Sequence, residues 1–196
     1  LKEMQIRDGL HVFGQAPEGR LQTDLLVALT RLPRGTGQGG DASLIRALAT
    51  DLGLGEAFDP LDCTFGDPWD GARPDVLAEL GEGTWRTTGD TVERLENLAQ
   101  ALVAGARAPE EAWTRTRAVL ATVEQTVRPA VADCGPRELE GVLTGLDGRF
   151  VEPGPSGAPT RGRLDVLPTG RNFYSVDTRV VPTPAAWQLG WKSATR

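Results

Sequence analysis

The chain is 196 residues long, 39% hydrophobic and 24% charged, which is enough for one ordinary core or two small ones. A net charge of −6 and a pI near 4.9 argue against general affinity for nucleic acid or an anionic membrane, since both depend on clustered positive charge. No apolar run approaches membrane-spanning length and the first residues do not read as a signal peptide, so a cytoplasmic location is expected.

The first helix is predicted over 21–32, where Leu21, Leu25, Ala28, Leu29 and Leu32 recur at helical spacing before Pro33 and Gly35. After the glycine-rich GTGQGG, Asp41 is the expected N-cap of a second helix carrying Leu44, Ile45, Leu48 and Leu52, stopped at Gly53. Residues 55–75 read as irregular because Pro60, Pro68 and Pro74 interrupt any ladder. The clearest helix is expected from Asp90, read as a capping carboxylate with Glu93 three residues on, through Val92, Leu95, Leu98, Ala99, Leu102 and Val103. Pro109, Glu110 and Glu111 resemble a first turn leading through Trp113, Val119, Leu120 and Val123 to Val127, with Pro129 as the stop. Pro136, Leu139, Val142, Leu143 and Leu146 outline a last helix ending at Asp147-Gly148. LHVFG (10–14) and RVV (179–181) are the candidate extended segments.

The expected fold is therefore mainly α, with long ordered Gly/Pro-rich loops and a few short strands. Its expected divisions are a helical region (1–146), a Gly/Pro/Arg-rich functional loop (147–184) and the start of a truncated helix (185–196) containing Trp187 and Trp191. The pattern at the two ends reads as a domain excised from a large multidomain subunit. Cys63 and Cys134, with no CxxC spacing, are expected to be two buried free thiols.

The 147–184 segment is too long for an idle connection, and Phe150, Val151, Leu164, Val166, Leu167, Phe173, Tyr174 and Val176 are too many apolar side chains for a disordered linker. Between Arg149 and Arg179 it carries five arginines against Glu152, Asp165 and Asp177, and such a cationic, glycine-dense loop suits an anionic ligand. For any single arginine, a surface ion pair is an equally good explanation. The glycines at 157 and 162 are followed by Arg163 and Leu164 rather than Lys and Ser/Thr, so no P-loop is present. The lone histidine, His11, lies between Leu10 and Val12, where a packing role is the ordinary one.

FVEPGPSGAPTRGRLDVLPTGRNFYSVDTRVVPTPAAW (150–187), GLHVFGQAP (9–17) and WRTTGDTVERLENLA (85–99) together resemble, in that order, the family of CobN and magnesium chelatase large subunits. Within it, NFYSVD (172–177) is more similar to the cobaltochelatase branch. The resemblance implies a fragment of a large tetrapyrrole-binding subunit that accepts cobalt as substrate metal and inserts it into hydrogenobyrinic acid a,c-diamide, in aerobic cobalamin biosynthesis. It also implies AAA+ type ATPase partner subunits, with ATP and Mg used there and not here, and a fragment that is inert without the remainder of the large subunit. Metal insertion strips water from a cation and removes two ring protons. Glu152, Asp177 and His11 are the expected catalytic residues, with Glu152 and His11 as transient cobalt contacts. Arg161 and Arg171 are expected to pair with peripheral carboxylates, and Asn172 and Tyr174 to supply hydrogen bonds. Two alternatives stand: a magnesium chelatase type porphyrin-binding subunit, and a non-catalytic module docking neighbouring domains or the ATPases.

Overall fold

A computed structural model describes residues 12–32, 43–157, 159, 163–174 and 191. His11, Arg161 and Asp177, the Asp41 cap, the 179–181 segment and Trp187 lie outside the described residues. In chain order the described elements are α1 (Gly19–Arg31), α2 (Leu44–Asp51), α3 (Asp75–Ala78), α4 (Thr88–Val103) and α5 (Thr114–Thr122). A π-helical turn (Val123–Val127), α6 (Arg128–Ala132), α7 (Cys134–Leu146), β1 (Pro153–Pro155), a 3-10 turn (Leu164–Val166) and β2 (Asn172–Tyr174) follow. The described part is thus mainly helical, as the periodicities predict, with two short strands that do not fall at the candidate extended segments: Phe13 and Gly14 form a turn.

The core gathers around α4, whose Leu95, Leu98 and Ala99 are fully buried. Leu26 and Leu29 of α1 and Leu44, Ile45 and Leu48 of α2 pack in the same cluster, with α5 lying against α2. Burial of these leucines at helical spacing is the main stabilising term, about 1.5–3 kcal/mol for each fully buried side chain. Arg94, on α4, is buried with them. It donates to the carbonyls of Asp90 (3.1 Å) and Gly83 (3.2 Å), and its guanidinium carbon lies 5.0 Å from the Trp85 ring centroid.

Several local expectations shift by a turn or less. The N-cap of α2 is Ser43, whose hydroxyl accepts the Arg46 N–H. At α4 the cap is Thr87 rather than Asp90: Thr87 Oγ1 accepts the Asp90 N–H at 3.2 Å, and Asp90 Oδ2 accepts the Thr87 and Arg86 N–H groups at 2.8 and 2.7 Å. Aspartate thus fills the third position of the box, and Glu93 takes no part in it. Pro109, Glu110 and Glu111 precede α5 instead of starting it.

Pro129 does not stop the chain's helical run. A proline lacks the N–H that would bond four residues back and its ring crowds that carbonyl. Here the run widens just before the proline, the Arg128 N–H reaching back five residues to the Val123 carbonyl, and α6 continues with Pro129 in its first turn. Val123 and Val127 stay fully buried across the wide turn.

Both cysteines are free thiols, but only Cys134 is buried. Cys63 is half-buried, and desolvation together with the charges of Asp59, Asp62 and Asp67 pushes its thiol up from the ordinary value.

Candidate functional site

Among the described residues of 147–174, two strands pair and two leucines pack on the core. β1 and β2 pair in parallel, Pro153 opposite Asn172, Gly154 opposite Phe173 and Pro155 opposite Tyr174, and the Asn172 N–H donates to the Glu152 carbonyl at 3.0 Å. Leu164 and Leu167 lean on the main core. The Leu167-Pro168 peptide is cis.

Two of the loop's arginines are engaged by neighbouring carboxylates. Arg163 forms a two-point pair with Asp165 at 2.8 and 2.9 Å, and Arg149 reaches Asp147 at 3.1 Å. Arg171 donates to the Leu167 carbonyl at 3.2 Å. For Arg149 and Arg163 the surface ion pair therefore accounts for the charge.

Of the residues singled out from the sequence, the fold brings Glu152, Arg171 and Asn172 onto one two-stranded unit, with the Tyr174 backbone completing β2. The Glu152 and Asn172 side chains are exposed. On α7, Arg137 is bonded to Asp133 at 2.9 Å, and that bond and carboxylate hold its guanidinium above its ordinary value, with Glu140 and Glu152 adding to the field.

Sequence reasoning missed the support on which this unit rests. The loop turns at Thr169-Gly170 directly against α7. Gly170 has φ +88 and its Cα lies so close to α7 that an added Cβ would fall on the Arg137 carbonyl, while one on Gly141 would strike the Gly170 oxygen. From the opposite end of the chain, Gly14 and Ala16 press on the same helix: a Cβ on Gly135 would lie 2.8 Å from the Gly14 oxygen. Cys134 joins in, its sulfur accepting the Thr169 N–H at 3.4 Å and donating to the Ala130 carbonyl at 3.3 Å. Glu138 completes this face with a buried carboxylate.

The signal that reveals this face is the spacing Cys134, Glu138, Gly141, a helical stripe of small and polar residues. The apolar residues of the same helix, read above as its outline, are the exposed ones: Leu143 is 63% and Leu146 80% accessible, and Phe150 just beyond is 82% accessible.

A concavity of about 810 Å³ opens between α1 and α4, but its charges satisfy one another. Arg20 pairs with Asp24 at 2.6 Å, and Arg128 is held by Glu124, by Gln22 and by the Val103 carbonyl. Among the described residues, no group of three or more His, Cys, Asp or Glu side chains is placed to hold a metal ion, and no helix is long and apolar enough to cross a membrane.

The chain is 60% identical to the aerobic cobaltochelatase subunit CobN of a Sinorhizobium species over 99% of its length, but covers only 16% of that protein. It is 27% identical to the chloroplastic magnesium-chelatase subunit ChlH of Oryza sativa subsp. indica, over 91% of this chain and 14% of that one. Among solved structures, the catalytic subunit of cobaltochelatase from Mycobacterium tuberculosis superposes with a TM-score of 0.61 at 36% identity, covering 96% of this chain and 14% of the other. The chain thus spans about one-sixth of the length of the curated cobaltochelatase relative it matches. With the family model for CobN/Magnesium Chelatase matching residues 1–196 throughout, the chain belongs to that family.

Proposed function

We propose that this chain is part of the tetrapyrrole-binding catalytic subunit of an ATP-dependent cobaltochelatase, which inserts cobalt into hydrogenobyrinic acid a,c-diamide in aerobic cobalamin biosynthesis. The observation that carries this reading is 60% identity across 99% of the chain to an aerobic cobaltochelatase subunit, against 27% to a magnesium chelatase subunit. The reading places the reaction in the cytoplasm and assigns ATP hydrolysis to AAA+ type partner subunits.

In this reading residues 147–184 are the functional loop of a helical body. Glu152, next to β1, and Asp177, beyond β2, receive protons from the ring nitrogens. Glu152 and His11 offer transient ligands as cobalt sheds water. Arg171 and Arg161 pair with carboxylates at the corrinoid periphery, where the planar guanidinium matches a carboxylate in two-point geometry. Asn172 and Tyr174 orient the ring by hydrogen bonding. The exposure of Glu152 and Asn172 and the backbone hydrogen bond from the Asn172 N–H to the Glu152 carbonyl support placing them on a common substrate-facing edge.

The test is cobalt insertion by the full-length subunit with its ATPase partners. Glu152→Gln and Asp177→Asn are expected to abolish insertion while the thermal transition is retained. Insertion at the wild-type rate in both variants overturns the reading and leaves the docking-module alternative, which the exposed Leu143, Leu146 and Phe150 favour.

A further inference from the structure

Glu138 sits in the first half of α7 and is 7% exposed. Its Oε2 accepts the Gly14 N–H at 2.9 Å, and its Oε1 accepts the Thr169 hydroxyl at 2.6 Å. One carboxylate therefore bonds two segments that are far apart in sequence. The first begins directly after His11. The second, Leu167–Tyr174, carries Arg171 and Asn172.

The placement is costly unless it is used. Burying an ionised carboxylate is strongly unfavourable without hydrogen-bond donors, and both oxygens here act as acceptors, the pattern of the ionised form. Bonds to such a group are about twice as strong as neutral ones. The glycines remove the slack: Gly135 admits the Gly14–Ala16 backbone and Gly141 admits Gly170, so both segments lie in backbone contact with the helix that presents the carboxylate. Core packing does not require this arrangement, because the main cluster of buried apolar side chains includes no residue of α7.

Resting on the cobaltochelatase reading above, we propose that Glu138 is a positioning residue of the metal-insertion site. Its carboxylate fixes the separation between Val12–Pro17 and Leu167–Tyr174, so that the groups these segments carry meet the tetrapyrrole in one geometry. Glu138 itself does not touch the substrate; it acts through Gly14 and Thr169.

The experiment uses the full-length subunit reconstituted with its ATPase partners, cobalt(II), ATP and the corrinoid. Glu138→Gln keeps the volume and can still accept from Gly14, but it replaces both charge-assisted bonds with neutral ones and reverses the Thr169 contact, while Thr169→Val deletes the hydroxyl. Each should lower kcat/KM for cobalt insertion by about tenfold or more, the loss expected for a bond to a charged group. Thr169→Ser, which keeps the hydroxyl, should restore most of the activity. The double variant Glu138→Gln/Thr169→Val should be less impaired than the product of the single effects, since both break one contact. Hydrogen exchange should quicken at 12–17 and 167–174 and stay unchanged in α4, a local pattern that general destabilisation would not give.

Wild-type insertion by Glu138→Gln and Thr169→Val, in a preparation where Glu152→Gln has lost it, overturns the positioning role and leaves the functional reading intact. Wild-type insertion by Glu152→Gln and Asp177→Asn as well overturns both. If Glu138→Gln fails to fold, Thr169→Val decides alone by the same criteria.

Discussion

Gly170 shows how much a single residue decides in this chain. Its φ of +88 lies in the left-handed region, and its missing side chain lets the loop lie on the Arg137 carbonyl. Gly170→Ala would incur both the backbone strain and a backbone clash, together about 2–4 kcal/mol. Gly148 has a similar φ of +69 but nothing within reach of an added Cβ, so Gly148→Ala should cost only about 1 kcal/mol. Urea midpoints of the two variants compare them directly, and equal losses would mean that the close approach to α7 contributes nothing. The importance of Gly170 was not legible locally, because PTG reads as an ordinary turn and the helix it touches lies some thirty residues earlier in the chain. The same holds for Glu138, an unremarked glutamate in a helix until Gly14 and Thr169 are seen to donate to it.

At the scale of the element, α4 was the most legible part, since a long apolar stripe leaves one way to bury it. Its start was misplaced by three residues because both TTGD and DTVE contain a plausible capping pair, and only the chain's entry angle selects Thr87. Thr87→Ala should lower stability by about 1 kcal/mol, while Thr87→Ser should stay within a few tenths of wild type. Thermal melts of both would check this, and an unchanged alanine variant would show that the box is not what holds the amino end of α4. The continuation through Pro129 was not legible for a different reason. A widened turn is unfavourable in isolation, and here the burial of Val123 and Val127 accompanies it.

Across the molecule, the irregular 55–75 stretch is tied to the helical body by Arg46 of α2, which binds Asp59 in two-point geometry: Nε to Oδ1 at 2.8 Å, and a second, shorter contact from the other nitrogen to Oδ2. The Arg46 hydrogen bond holds the Asp59 carboxyl below the usual carboxylate value, with the Leu61 N–H assisting against desolvation. A depressed folded-state value means that the stabilisation is complete above the unfolded value of about 3.9 and is lost as pH falls through the folded one. Partial exposure of both side chains keeps it modest. Asp59→Asn should therefore melt lower than wild type at neutral pH, with the two curves converging as pH falls through the depressed folded value. A constant gap across the acid range would remove Asp59 from the account.

By itself the sequence determined the helical class, the buried stripes of α1, α2 and α4 and the family resemblance, because each is written in residues close together in the chain. The tertiary structure alone decided that the loop forms a parallel strand pair with its own far end. It also decided that Arg149 and Arg163 are engaged by local carboxylates, and that residues 12–17 and 167–174 close on the glycine-lined face of α7 around Glu138. Those outcomes depend on which backbones approach within van der Waals contact, and periodicity carries no information about that.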